Sequence, residues 1–307
     1  MDYGAHLPLI DFDGRPSLAD LKAYARAASS HGYRCLSAND HLTFGRPWLD
    51  GPTALSAVIE ESSDLTLATT LSLPVIRGPA ALAKTAAAID LLSGGRLVLG
   101  LGPGSSAFDY ALVGVPFEER WRRFDESLRA IRAMLTEGSE PFEGEFYSTA
   151  EVRLEPPPAQ AKVPFWIGSW GSPAGLRRVA RHGDGWLASA YNTTPEKVGE
   201  DRDRLRRMLS REGRDAEAFP AVVGTAWMYV SEDRSRAEAM LRDVMSPLLR
   251  RPVEQLETLS LPIGSAELCA ERLAAFQEAG ADMVLVWPIG DALRQLEVFR
   301  EKVVPPA

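Results

Sequence analysis

The stretch TAAAIDLLSGGRLVLGLGPG, residues 85–104, decides the fold. An alanine-rich helix stops at Ser93-Gly94-Gly95, an apolar strand runs from Arg96 to Leu101, and glycines follow at 102 and 104. A helix that ends on glycine and feeds an apolar strand is an αβ step of a parallel sheet. Glycines just past the carboxyl end of such a strand stand where α/β folds place ligands.

The step recurs on both sides. Strands are predicted over 3–9, 33–39, 64–74, 96–101, 163–168, 184–190, 220–230 and 281–288, each followed by helical material. Ser17 caps the first helix, with Leu18, Leu21, Ala25 and Ala28 at helical spacing and Asp20 in the first turn. The span 118–135 is a clear helix, with Trp121, Phe124, Leu128, Ile131 and Leu135 on one face and the pairs Glu119–Arg123 and Asp125–Arg129 on the surface. Two segments break the rhythm: a proline- and glycine-rich excursion over 138–162, after the fourth βα unit, and a looser stretch over 246–264. Eight βα units favour a single (β/α)8 TIM barrel over 1–307, and a doubly wound open sheet is the alternative.

Composition agrees with one large α/β domain: 307 residues, 45% hydrophobic and 25% charged. A net charge of −8 with interspersed signs excludes a nucleic-acid binder. No apolar run reaches the roughly 18 residues of a membrane span. Cys35 and Cys269 form no metal-type spacing, and the amino terminus reads as a strand rather than a signal peptide. A reduced, cytoplasmic setting is expected.

In a barrel, functional groups follow the carboxyl ends of the strands. That rule sets His31 and His182 on the structural floor. It brings His6 and His41 to the mouth, as candidates for proton transfer or for hydrogen bonds to a bound ring. The bland alternative is that each satisfies a loop carbonyl. A metal site built from His6, Asp40 and His41 is weak, because adjacent side chains of an extended Asp-His pair diverge. Gly102-Pro-Gly-Ser-Ser-Ala107 resembles a dinucleotide fingerprint, but three βα units precede it and proline occupies the turn. Gly102 and Gly104 are better read as letting a flat ring approach the backbone, or as a plain turn. Gly168-Ser169-Trp170-Gly171-Ser172 opens a helix after the fifth strand, where free amides and the Ser169 and Ser172 hydroxyls would suit a phosphate. Arg177 and Arg178 read as surface or floor residues, and Trp170 and Trp287 as pocket walls or core.

Four blocks resemble the bacterial luciferase-like family of flavin- and deazaflavin-dependent oxidoreductases. They are Asn39-Asp40-His41-Leu42; Ala83-Lys84 with Leu92 through Gly102; Gly114 through Arg120 with Arg123, Asp125 and Glu126; and Pro164 through Gly168 with Gly183 through Trp186. The second and third together are specific. The resemblance implies a barrel, usually a homodimer, with a ring cofactor over the mouth and its phosphate near Gly168 to Ser172. It makes His41 the active-site histidine. It also implies a non-proline cis peptide behind the ring, at Thr70–Leu71 or its neighbour.

The implied activity is monooxygenation of a small organic substrate by reduced FMN and oxygen, the FMN supplied by a separate flavin reductase. Hydride transfer with coenzyme F420 is the alternative on the same fold, and a non-catalytic flavin-binding protein is the third. The F420-using branch often carries glutamate after its glycines, where Ser105-Ser106 stand here. Arg96, at the amino end of its strand, is expected in a floor ion pair. No metal is implied.

Overall fold

The turn between Leu92 and Leu97 shows how each barrel step is built. Gly94 and Gly95 take φ of +69° and +83°, a region that glycine enters without the Cβ clash of other residues. The Gly95 amide closes onto the Asp90 carbonyl at 2.8 Å. The buried Asp90 carboxylate accepts from the Leu97 amide, the first of the strand, and from the backbone and side chain of Gln160. One acid thus staples the helix end, the strand start and the end of the 138–162 excursion. Among the described residues Arg96 makes no floor ion pair. Its guanidinium instead donates to the carbonyls of Ile59, Leu65 and Ser93 and to the Ser62 hydroxyl, capping backbone acceptors that the turn leaves open.

The computed structural model describes residues 1–12, 14, 16–150 and 153–304. Residues 151 and 152 of the excursion, and 305–307 at the end of the expected single domain, lie outside that range. Eight parallel strands close a barrel: β1 (Asp2–His6), β2 (Cys35–Ala38), β3 (Thr66–Thr69), β4 (Leu97–Leu101), β5 (Phe165–Gly168), β6 (Gly185–Ser189), β7 (Ala221–Val230) and β8 (Met283–Pro288). Each pairs with the next, and β8 returns to β1 through Tyr3 opposite Val284 and Ala5 opposite Val286. A two-residue strand, Ile263–Gly264, adds to the far end of β7 outside this ring. No described helix is long and apolar enough to cross a membrane.

Helices cover the outside. α1 (Leu18–Ser30) starts at a capping box in which Ser17 and Asp20 exchange hydrogen bonds, an arrangement worth about 1 kcal/mol. Its buried face is Leu21, Tyr24, Ala25 and Ala28. α2 (Gly51–Ala57) begins at an Asp50 cap. α3 (Pro74–Arg77) is one turn long, and α4 (Pro79–Leu92) leads to β4. α5 (Ala107–Leu112) follows β4, and α6 (Arg120–Leu135) buries Phe124, Leu128, Ile131 and Leu135. The Glu119–Arg123 pair forms, but Asp125 turns to Arg178 instead of Arg129. Arg178 meets both oxygens of the carboxylate and also lies over the Trp121 ring. α7 (Pro173–His182) and α8 (Pro195–Arg211) complete the middle of the chain, and 246–264 folds into short helices, Ser246–Leu249 and Val253–Glu257.

The barrel lumen has its own small core of Cys35, Ala68, Trp166, Leu187, Val222 and Leu285. Leu71, just past the end of β3, packs on it from the mouth. That residue marks where the site begins.

Candidate active site

The Thr70–Leu71 peptide is cis, at the bond the sequence resemblance singled out. Glycines surround the Leu71 side chain. A Cβ on Gly102 would collide with Leu71 Cδ1, and one on Gly168 would come within 2.6 Å of the same atom. The room those two glycines leave is therefore filled by Leu71, whose isobutyl group lies across the mouth ends of β4 and β5. Gly104, at φ +79°, sits against the Leu73 side chain.

Asp40 and His41 diverge, as expected for neighbours on an extended chain. The buried Asp40 carboxylate receives Arg77 Nε at 2.5 Å and a second guanidinium nitrogen at 2.7 Å, and the Leu73 amide at 3.3 Å. Arg77 also bridges to Asp50. One guanidinium from α3 thus clasps both ends of the loop that carries His41. These bonds tie Asp40 to the loop and to α3.

His41 turns the other way. Its ring packs against Phe44 and Trp48, with centroids 5.0 and 4.8 Å away. Its Nδ1 lies 3.7 Å from Oδ2 of Asp109, on α5. Both atoms are buried and have no other partner, so a contraction of roughly 0.8 Å to the usual 2.9 Å would satisfy the two together. Asp109 Oδ1 is held by the amide and hydroxyl of Thr43, which fixes the carboxylate. Burial lowers the His41 pKa, and the nearby Asp109 and Asp40 charges partly restore it. The imidazole is neutral at neutral pH, with Nδ1 toward Asp109.

His6 is of another kind. It is 4% exposed, stacks on Trp287 at 3.6 Å, and its Nε2 accepts from the Asn39 amide at 3.0 Å. Burial pushes its pKa down to about 3. It is a neutral structural acceptor, tied to the β2 loop two residues before His41.

After β5, Ser172 caps α7 through the Gly175 amide, and Ser169 Oγ accepts from Gly171. Gly171, at φ +89°, lies directly against the buried Asp201 carboxylate, which Lys197 and Arg204 neutralise. Trp170 is 59% exposed and projects from this loop. Across the mouth, the Ser189 and Thr225 hydroxyls are 2.6 Å apart, and Asn192 donates to Ser189. Thr225 has φ +53° at a bulge in β7, an unusual conformation for a β-branched residue.

Buried polar atoms without partners gather here. Among the described residues they include Thr70 Oγ1, Ser72 Oγ, Asn39 Oδ1, His41 Nδ1, Asp109 Oδ2 and the indole nitrogens of Trp48, Trp227 and Trp287. These lie in the carboxyl-terminal halves of strands or in the segments that follow them, as does Ser37 Oγ, while Glu61 Oε2, Thr136 Oγ1 and Arg206 Nε are unpartnered elsewhere. Buried polar groups are ordinarily paired, so this concentration fits a bound polar ring. No described group of three or more metal-type side chains is assembled. Asp109, Arg77, Trp48 and Thr43 were not singled out from the sequence. The Ser106-x-x-Asp109 spacing was the available signal, since it marks a helix start directly behind β4, and Ser106 Oγ does accept from the Asp109 amide.

Comparison with known proteins agrees with this geometry. Residues 5–253 match the family model described as luciferase-like monooxygenase. An uncharacterized protein of Mycobacterium tuberculosis (strain ATCC 25618 / H37Rv) is 32% identical over 209 residues, 61% of this chain and 68% of that protein. An F420-dependent glucose-6-phosphate dehydrogenase of Segniliparus rotundus is 26% identical over 317 residues, 93% of each chain. The crystal structure of monooxygenase RslO1 from Streptomyces bottropensis superposes with a TM-score of 0.85 at 20% identity, covering 99% of both chains. The chain belongs to the luciferase-like monooxygenase family.

Proposed function

We propose that this chain is an F420-dependent oxidoreductase that interconverts a small organic alcohol and its carbonyl compound, with His41 carrying the proton. The observation behind this reading is the His41–Asp109 pair. Removing a hydride from a carbinol carbon requires the hydroxyl proton to leave as well, and a neutral imidazole at the mouth is the base for it. Asp109, buried behind Nδ1, stabilises the imidazolium that forms and fixes the tautomer that exposes Nε2 as acceptor. In the reverse direction the same imidazolium returns the proton to the carbonyl oxygen.

When bound, F420 supplies a two-electron hydride acceptor or donor. The Leu71 side chain between Gly102 and Gly168 offers an apolar platform for a ring. Thr70 Oγ1 and Ser72 Oγ supply unpaired hydroxyls beside it. The loop Gly168 to Ser172, at the start of α7, would hold a phosphate. We place F420 ahead of reduced FMN for two reasons. Asp109 brings a carboxylate to His41 although Ser105-Ser106 stand directly after the glycines. The relative similar along 93% of its length is named as F420-dependent.

Anaerobic fluorescence titration with F420 and with FMN tests the reading. F420 should bind below about 100 μM, a free energy of roughly −5.5 kcal/mol, and more tightly than FMN. Tighter binding of reduced FMN with oxygen-dependent turnover would favour monooxygenation. Binding of neither would remove the redox reading, and binding without turnover on any alcohol or carbonyl compound would leave a non-catalytic binder.

A further inference from the structure

At the opposite end of the barrel from His41, we propose a binding site for a small phosphorylated molecule. A cavity of about 540 Å3 lies at the amino ends of β5 and β6, between the second half of α6, the two ends of the 138–162 excursion and the turn after α7. That volume is in the range of small-molecule sites. Among the described residues five cationic side chains line it: Arg129 and Arg132 of α6, Lys162, Arg181 of α7, and Arg214 after α8. The whole chain carries a net charge of −8, so this concentration runs against its average.

Part of the charge is answered inside the fold. Asp184, just before β6, accepts from Lys162 on Oδ1 at 2.6 Å, and from Arg132 and the Phe165 amide on Oδ2. Arg132 also donates to the Val163 and His182 carbonyls, and Arg214 to the Ala180 carbonyl. These two arginines thereby cover acceptors left open at the end of α7.

Three guanidinium groups remain without a hydrogen-bonded carboxylate among the described residues. Arg129 donates to the Asp125 carbonyl and lies over the Phe142 ring. Arg214 stands 3.9 Å from Asp184, and Arg181 stands 3.7 Å from Glu212 on the surface. Glu140 is the second acid on the cavity wall and is exposed to solvent. Glu151, outside the described residues, is a single further charge.

His182, on the same wall, registers the field. Burial lowers its pKa and Asp125 raises it, while Arg129, Arg178 and Arg181 each lower it further. The planar guanidinium fork pairs with two phosphate oxygens at once and stays charged throughout the accessible pH range. Several such forks around one cavity suit a group that presents several charged oxygens together, and the volume leaves room for the molecule that bears it.

Calorimetric titration with pyrophosphate and, separately, with citrate tests the site, at low ionic strength because salt screens exposed cations. Pyrophosphate should bind saturably and more tightly than citrate. Arg129→Gln and Arg181→Gln should each weaken it about tenfold, whereas Arg234→Gln, which alters an exposed arginine outside the cavity, should leave it unchanged. Imidazole NMR, assigned with His182→Gln, gives a second readout: bound pyrophosphate should raise the His182 pKa, because the anion offsets the three arginines. Full affinity in both cavity variants would place the ligand elsewhere, as at the Gly168–Ser172 loop, and overturn the assignment. Equal affinity for citrate would overturn the phosphate class. Absence of saturable pyrophosphate binding, or a His182 pKa that does not move, overturns the inference outright.

Discussion

His41 Nδ1 lies 3.7 Å from Asp109 Oδ2, and each of these buried atoms lacks any other partner. If the pair works as base and support, His41→Ala should lower turnover by about 10²–10⁴-fold, with cofactor affinity nearly unchanged. Asp109→Asn keeps the shape but removes the charge, and should cost on the order of a hundredfold or less. Steady-state kinetics with equal cofactor loading checks both. A full-rate Asp109→Asn protein would separate the carboxylate from the chemistry.

The pH profile carries an independent sign. Burial lowers the His41 pKa, so alcohol oxidation, which needs neutral imidazole, should stay on its plateau down to below the ordinary value of 6.5 and then fall. Asp109 acts upward on that pKa. Removing its charge in Asp109→Asn should therefore move the acid limb of kcat/KM to still lower pH. A shift toward higher pH would contradict the arrangement.

Gly102 and Gly168 make room for one side chain, Leu71. Gly102→Ala should destabilise the fold by about 1–3 kcal/mol through overpacking. The double variant Gly102→Ala with Leu71→Ala should recover part of that loss, since the two groups compete for the same volume. Denaturant unfolding of the wild type, the two single variants and the double variant measures the coupling. Strict additivity would mean that the two do not meet.

His6 is buried neutral, with its pKa down at about 3 against 6.5 for a free imidazole. The unfolded chain binds the proton more readily, so the contribution of His6 is complete above pH 6.5 and is lost as pH falls toward 3. The loss is about 1.4 kcal/mol per unit within that window. His6→Gln keeps an acceptor for the Asn39 amide without a titrating group. Between pH 7 and pH 5 the wild type should lose about 2 kcal/mol more than this variant. Parallel stability curves would refute the assignment.

The barrel was legible because its signals are local. Glycines at 94 and 95, the Ser17–Asp20 spacing and the three- and four-residue apolar steps of α6 each act within a few positions, and all appear where expected. His41 could be brought to the mouth by its place after β2. What it faces could not, since Asp109 is 68 positions away and its direction depends on how α5 leaves β4. The same reason hid Arg77, whose fork spans Asp40 and Asp50, and redirected Asp125 to Arg178. Arg96 was expected to find an acid because charge is visible in a sequence. The carbonyls it actually caps belong to backbone that every residue shares. Gly102 was read as a position needing space and Gly168 as the start of a phosphate loop, but only the path of Leu71 shows what lies against both.

The most direct measurement is stopped-flow bleaching of F420 absorbance on mixing with a small organic alcohol, comparing wild type with His41→Ala at matched cofactor occupancy. The account predicts rapid bleaching in the wild type and a rate about 10²–10⁴-fold lower in the variant. Equal rates in the two proteins would contradict it.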